Sequence, residues 1–326
     1  MKKILILGGT NFVGRSLTER LVASGNYDVT LFNRGKTNAE LFKGVKQIHG
    51  DRETADIEKI YNRRWDCIID FSGYYPVTFE KLLKGIEGNV GRYIFISTVS
   101  VFDVAKYEGQ LITEQFATQA CSDAQKVSPL MDAYGEKKAE MERILLQQQG
   151  LDKIIFRPGF IYGKYDYTGR FYYWLYRVEK CMRFLLPEDG APKKLSLTNA
   201  DDLTEALLLA VEIGNHSTVY NAISTPSISI RELIGIAEKA YKRSPEIIAA
   251  DSRQLEKLSL QLSQFPLMMP LDFSADDTLW EKDFAFVRKD PGAALIEMLD
   301  HQAARGFKKP VAGLAADKEQ ELIAGI

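Results

Sequence analysis

Cysteine and histidine are scarce in this chain, and long apolar runs are missing. Its 326 residues include three cysteines, Cys67, Cys121 and Cys181, and three histidines, His49, His216 and His301. The cysteines are scattered, odd in number and without a CxxC pair, which argues against a disulfide framework and against a thiolate zinc site. The histidines share no metal-ligand spacing, so no metal is expected and all three read as surface or cap residues. No stretch approaches the about 18 apolar residues of a membrane span. Met1-Lys2-Lys3 precedes only four apolar residues, Ile4 to Leu7, before Gly8-Gly9. That is too short for a signal-peptide core. A cytoplasmic enzyme with no membrane partner is the expectation. An excess of positive charge is missing too: 42 Lys and Arg stand against 44 Asp and Glu, a net charge of −2. A strongly basic nucleic-acid binder is therefore disfavoured, because little cationic charge is left to neutralise phosphates.

What the chain has is 45% hydrophobic residues, enough for a folded protein of one large domain or two smaller ones. Ile4-Leu5-Ile6-Leu7 reads as a strand buried on both faces. A glycine turn follows, then a helical pattern with Val13, Leu17, Leu21 and Val22 on one face, closed by Gly25. Asp28 to Asn33, Gln47 to Gly50, Cys67 to Phe71, Arg92 to Ser97 and Lys153 to Arg157 read as further strands, with helical stretches among them and a helix over 132–149. Strands alternating with helices predict right-handed βαβ units and an α/β, doubly wound parallel sheet. Beyond Arg157 the rhythm changes. Segment 196–213 predicts a strand or loop plus a helix, 219–222 a last strand, and 230–241 and 291–304 helices.

The first turn reads Gly8-Gly9-Thr10-Asn11-Phe12-Val13-Gly14. A strand, a tight glycine turn and a helix bring free backbone N–H groups and the positive end of a helix dipole to one point, a ready pyrophosphate site. Asn11 stands where the usual pattern has its middle glycine; asparagine tolerates positive φ, so the turn is expected to survive. The second strand ends in Asn33-Arg34-Gly35-Lys36, where such folds usually place an acid for the adenosine ribose 2′-hydroxyl. Arg34 and Lys36 would instead attract a 2′-phosphate, which favours NADP over NAD as cofactor. Asp51 could contact the adenine edge or cap the helix that follows.

Tyr134-Gly135-Glu136-Lys137-Lys138 puts a phenol and an ammonium four residues apart, on one helix face. A nearby cation lowers a phenol's pKa from about 10 toward working pH. A phenol so tuned can carry a proton while hydride moves to or from a nicotinamide. Upstream, Phe95-Ile96-Ser97-Thr98-Val99-Ser100 places hydroxyls at the carboxyl end of a strand, where parallel sheets bind ligands.

Together these residues resemble the short-chain dehydrogenase/reductase superfamily, in its extended branch of NAD(P)-dependent epimerases, dehydratases and reductases with a Rossmann-type sheet. The likeness also includes Arg157-Pro158-Gly159-Phe160-Ile161-Tyr162-Gly163, Asp201-Asp202-Leu203 and Tyr220-Asn221. The resemblance implies that Tyr134 is the acid/base, Lys138 its ribose-binding partner, and Thr98 the hydroxyl bonded to the substrate oxygen. Ser97 lies beside Thr98 in the cofactor site, while Gly8, Thr10, Asn11, Phe12, Val13 and Gly14 line the pyrophosphate. Gly9 to Gly14, Phe32-Asn33-Arg34-Gly35 and Phe71-Ser72-Gly73-Tyr74-Tyr75-Pro76 are similar to an atypical bacterial subgroup related to chloroplast stem-loop-binding proteins, which are described as RNA-binding.

Sugar-nucleotide dehydratases of this branch follow the threonine with an Asp-Glu pair. Here Val99 and Ser100 stand there, so elimination lacks a second proton carrier, and epimerase and reductase remain. The implied substrate is a small polar alcohol or ketone such as a nucleotide sugar. The alternative is a non-catalytic RNA-binding or nucleotide-sensing protein on the same fold. The resemblance divides the chain into a cofactor domain, 1–157 with 196–223 returning to it, and a substrate lobe, 158–195 and 224–326.

Tyr162 to Arg177 is crowded with aromatics. It predicts either a substrate-stacking wall, with Ser100, Arg170, Tyr173 and Arg177 as candidate substrate contacts, or packing within the lobe or against a second copy in a homodimer.

Overall fold

Ile4, Leu5, Ile6 and Leu7 are all fully buried, as a strand covered on both faces requires. They form the core of β1 (Lys2–Leu7), the middle of a sheet that a computed structural model describes along with the rest of residues 1–324. The sheet has seven strands: β1, β2 (Tyr27–Asn33), β3 (Lys46–His49), β4 (Trp65–Asp70), β5 (Val90–Ile96), β7 (Asp152–Pro158) and β11 (Val219–Ala222). Their spatial order is β11-β7-β5-β4-β1-β2-β3 and every pairing is parallel.

Alternate residues of β1 face opposite layers. Ile4 and Ile6 pack with Leu17 and Leu21 of α1 (Phe12–Ser24) and with Leu203 and Leu207 of α6 (Ala200–Glu212). Leu5 and Leu7 pack with Phe79 and Leu82 of α2 (Pro76–Gly85) and with Met141 and Leu145 of α4 (Tyr134–Leu146). Gly25 ends α1 at φ 66, a left-handed turn that suits glycine. The predicted helix over 132–149 begins later, at Tyr134, because Ala133 takes φ 50 and interrupts the helical backbone.

Short elements cover the C-terminal edge of the sheet. β8 (Phe160–Tyr162) and β12 (Thr225–Ser229) flank β10 (Lys194–Asn199). β9 (Arg183–Pro187) pairs with β13 (Glu246–Ala250), and β6 (Leu111–Ile112) with β14 (Ser274–Ala275). A separate hydrophobic core gathers Trp174 of α5 (Arg170–Lys180), Leu233 of α7 (Ile230–Tyr241), Leu295 of α10 (Pro291–Ala303), Leu255 of α8 (Ser252–Lys257) and Ile323 of α11 (Ala316–Ala324). Trp280 of α9 (Thr278–Asp283) packs back onto the sheet layer, and α3 (Asp123–Val127) lies over α2 and α4. His216, read as a surface or cap residue, is half-buried, its Nε2 pairing with Asp152 at the start of β7 at 3.0 Å. None of the described helices is long and apolar enough to cross a membrane. Among the described residues, no group of three or more His, Cys, Asp or Glu side chains could hold a metal ion.

Candidate active site

The carboxyl ends of β1, β4 and β5 open into a cleft of about 600 Å³. It lies where the strand order reverses direction, the usual ligand crevice of an open parallel sheet. Gly8 turns the chain out of β1 at φ 97. A Cβ on Gly14 would stand 2.4 Å from the Gly8 carbonyl oxygen, so only glycine lets α1 sit this close to the strand. Asn11 does not take the positive φ expected of it. It is extended at φ −136, and the left-handed residue is Phe12 at φ 43. In that conformation Phe12 is buried and its ring meets Tyr167 edge-on at 6.3 Å. The Asn11 side chain makes no cap bond, and Gly8, Thr10, Asn11, Phe12, Val13 and Gly14 all line the cleft. Gly14→Ala should cost about 1–3 kcal/mol by forcing the helix off the strand, read as a lower urea midpoint with an unchanged slope.

Asn33, Arg34 and Lys36 line the same cleft beyond β2. The Gly35 N–H donates to Asn33 Oδ1 at 2.7 Å, curling the turn, and Asn38 Nδ2 ties this loop to the Thr10 carbonyl at 2.8 Å. Among the described residues, neither Arg34 nor Lys36 has a carboxylate within ion-pair distance. Asp51 lines the cleft and does not cap the next helical turn. That role falls to Thr54, whose hydroxyl accepts from the Asp56 N–H.

Tyr134, Lys138 and Glu142 share one face of α4, four residues apart. Tyr134 and Lys138 line the cleft, and Glu142 lies buried beneath it. Lys138 Nζ donates to the Ile96 carbonyl at 2.7 Å and sits over the rings of Phe95, at 4.6 Å, and Tyr74, at 5.2 Å. Burial pulls its pKa down to about 7, against the attraction of Asp70 and Glu142. The Tyr134 phenol moves opposite to the expectation. Although 37% of the residue is exposed, protein atoms crowd its hydroxyl end and push its pKa up. The neighbouring Tyr74 adds to the rise, and the Thr98 hydroxyl and Arg170 oppose it. Lys138, with its ammonium turned to Ile96 and two ring faces, does not offset the burial.

Thr98 caps the helical turn 99–101, its Oγ1 accepting from the Ser100 N–H at 3.1 Å and donating to Ser100 Oγ at 3.2 Å. Thr98, Ser100 and Ser97 all line the cleft. The Ser97 hydroxyl is turned away, donating to Glu142 Oε1, while Arg157 holds the same carboxylate in a buried ion pair through Oε2 at 2.6 Å. Tyr74, Tyr167, Thr168 and Arg170 complete the wall near Tyr134, the first with its ring centroid 6.5 Å from that of Tyr134.

Tyr173 and Arg177 correct the expectation of a substrate contact. Neither lines the cleft. Tyr173 is fully buried, and Arg177 stacks on its ring at 3.4 Å while its Nε pairs with Glu319 of α11 at 3.0 Å. The inner face of α5 is lobe packing, and only the segment just before it, through Arg170, reaches the cleft. Sequence reasoning missed Tyr74, Arg52, Asp70 and Glu142. Two signals were available: a carboxylate closing the apolar strand Cys67-Ile68-Ile69-Asp70, and Glu142 four residues beyond Lys138 on the same helix face.

The model of the NAD dependent epimerase/dehydratase family matches residues 4–222. The chain belongs to that family. Among curated relatives, it is 25% identical to the chloroplast stem-loop binding protein of 41 kDa b of Arabidopsis thaliana, over 78% of this chain and 68% of that one. Among solved structures, the fold is similar to UDP-glucuronic acid 4-epimerase of Bacillus cereus, crystallised with a fluorinated UDP-glucuronic acid and NAD. The TM-score is 0.73 at 17% identity, covering 93% of this chain and 99% of that one. It is also similar to dTDP-glucose 4,6-dehydratase of Bacillus anthracis in complex with NAD, with a TM-score of 0.69 at 15% identity over 94% and 98% of the two chains.

Proposed function

We propose that the protein is an NADP-preferring oxidoreductase or epimerase that moves hydride and a proton at a secondary alcohol or ketone of a small polar substrate, in the class of nucleotide sugars. The observation that carries this reading is one continuous cleft running from Arg34 and Lys36, past the glycine loop, to Tyr134, Lys138 and Thr98. A dinucleotide fits it on two grounds of this chain's own: the Gly8–Gly14 approach that any Cβ would fill, and two cations after β2 that have no ion-pair partner among the described residues. Gly8 to Gly14 would hold the pyrophosphate, Arg34 and Lys36 a 2′-phosphate, and Lys138 the nicotinamide end, with Ser97 beside it and its hydroxyl turned to Glu142. When bound, the nicotinamide accepts and returns hydride.

The chain's own part is proton handling and orientation. Thr98 and Tyr134 would grip the substrate oxygen, and the raised pKa of Tyr134 keeps its phenol protonated at neutral pH, ready to donate to a forming alkoxide. Tyr74, Tyr167 and Arg170 would orient the remainder of the substrate, with residues 158–195 and 224–326 serving as the substrate lobe. Dehydration is disfavoured. The carboxylates that line the cleft, Asp51 and Glu53, follow β3 at the other side of the sheet, and Val99 and Ser100 bring no acid beside Thr98.

Titration by nucleotide fluorescence should give tighter binding of NADPH than of NADH, and Arg34→Ala should erase the difference, a change of about tenfold for one charge-assisted phosphate contact. Equal affinities in the wild type would remove the NADP preference. A second reading, stem-loop RNA binding without turnover, rests on the name of the Arabidopsis relative. Tight, steeply salt-dependent RNA retention on filters would favour it, and the net charge of −2 weighs against it.

A further inference from the structure

Arg52 follows β3 and lines the cleft, yet it is only 9% exposed. Its Nη1 is shared between Asp70 Oδ1, at 2.6 Å, and Ser72 Oγ, at 3.0 Å. Asp70 is otherwise satisfied: Oδ1 also accepts from the Ser72 N–H at 2.8 Å and Oδ2 from the Tyr93 hydroxyl at 2.7 Å. A guanidinium placed only to neutralise a buried carboxylate commonly meets it with two parallel N–H bonds. Here one nitrogen does that work, Nε faces Glu53 Oε1 at 3.6 Å, and Nη2 is buried with no hydrogen-bond partner among the described residues. A charged donor left in this state calls for an explanation, and an acceptor delivered by a ligand supplies one. The neighbourhood names the acceptor. A Cβ on Gly8 would lie 3.5 Å from Ser72 Cβ, so the residue that shares Arg52 Nη1 abuts the glycine turn.

We infer that Arg52 is a phosphate-binding residue of this cleft, its Nη2 donating to an anionic oxygen of the dinucleotide while Asp70, Tyr93 and Ser72 hold the guanidinium in place. The inference rests on the dinucleotide reading proposed above and adds a cation inside the cleft, separate from Arg34 and Lys36 at its rim. Asp70 is then a positioning residue. Its own carboxyl is pushed up by burial and pulled below the ordinary carboxylate range by Arg52, so the pair stays charged at neutral pH.

The test uses the full chain with NADPH as fluorescent probe, displaced by ADP or by adenosine. Arg52→Lys keeps a charge for Asp70 but loses the planar second nitrogen; the double variant Arg52→Gln, Asp70→Asn removes both buried charges and leaves only the partly exposed Glu53, which keeps its bond from Thr78. Both should weaken NADPH and ADP about tenfold or more and leave adenosine unchanged, with melting temperatures showing that each variant is folded. ADP binding as tight as the wild type's in both folded variants would overturn the inference. So would an equal loss for adenosine, which would put the acceptor on the nucleoside. A wild-type protein that binds neither NADPH nor ADP would instead remove the dinucleotide reading, a distinguishable failure.

Discussion

Tyr134→Phe should cost about 10²- to 10⁴-fold in turnover on an identified substrate, while NADPH binding stays within about twofold of the wild type. The substitution keeps the ring, and with it the tilted contact to Tyr74 at 6.5 Å, and removes only the hydroxyl. Nothing in the glycine loop or the Arg34 turn depends on that oxygen, so the loss should fall on kcat rather than on cofactor affinity. The pH dependence has a definite sign. Burial raises the phenol's pKa, so ketone reduction finds its proton donor in place at neutral pH and should fade only in alkali. Alcohol oxidation needs the phenolate and should climb as pH rises. Full turnover by Tyr134→Phe on a validated substrate would remove the acid/base assignment.

The parts legible in the sequence were those written locally. Ile4 to Leu7 and the glycine turn after them sit within one strand–turn–helix unit, and Tyr134 and Lys138 lie one helical turn apart, so spacing alone put each pair on one face. The illegible parts join distant segments. Arg52 meets Asp70 from 18 positions away, and Glu142 of α4 meets Arg157 of β7 and the Ser97 hydroxyl beyond β5 only in the folded layer. Arg177 looked like an anion contact because its partner, Glu319, is 142 residues downstream in a helix that periodicity does not dock anywhere. The glycine loop shows the same limit in small. The propensity of asparagine for positive φ pointed at Asn11, but Phe12, whose ring packs edge-on against Tyr167 more than 150 residues away, takes the left-handed angle. Pairing rules and propensities describe one element at a time. The electrostatic setting of Lys138 combines Glu142, one turn along its own helix, with Asp70 at the end of β4, and that second contribution required the assembled sheet.

Lys138→Met should make the protein more stable and less active at once. Lys138 is 2% exposed, its ammonium has one carbonyl and two ring faces for company, and its pKa falls from 10.5 to about 7. Between those two values the unfolded chain holds a proton on this lysine that the folded chain has released, so unfolding takes up a proton and stability rises with pH across the window. Below about pH 7 both states are protonated and the full cost of burying the charge is present, on the order of a few kcal/mol. Methionine fills similar volume and makes favourable sulfur contacts with aromatic faces. Its one debit is the Ile96 carbonyl, left without the lysine donor at about 1 kcal/mol. The variant should therefore melt several degrees higher than the wild type at pH 6, with the gap closing toward pH 10. Turnover should fall about a hundredfold or more at every pH, because the group proposed to hold the nicotinamide end beside Tyr134 is gone. A variant that melts below the wild type at pH 6 would show that the cation is better solvated than its surroundings indicate. An active one would separate Lys138 from the chemistry altogether.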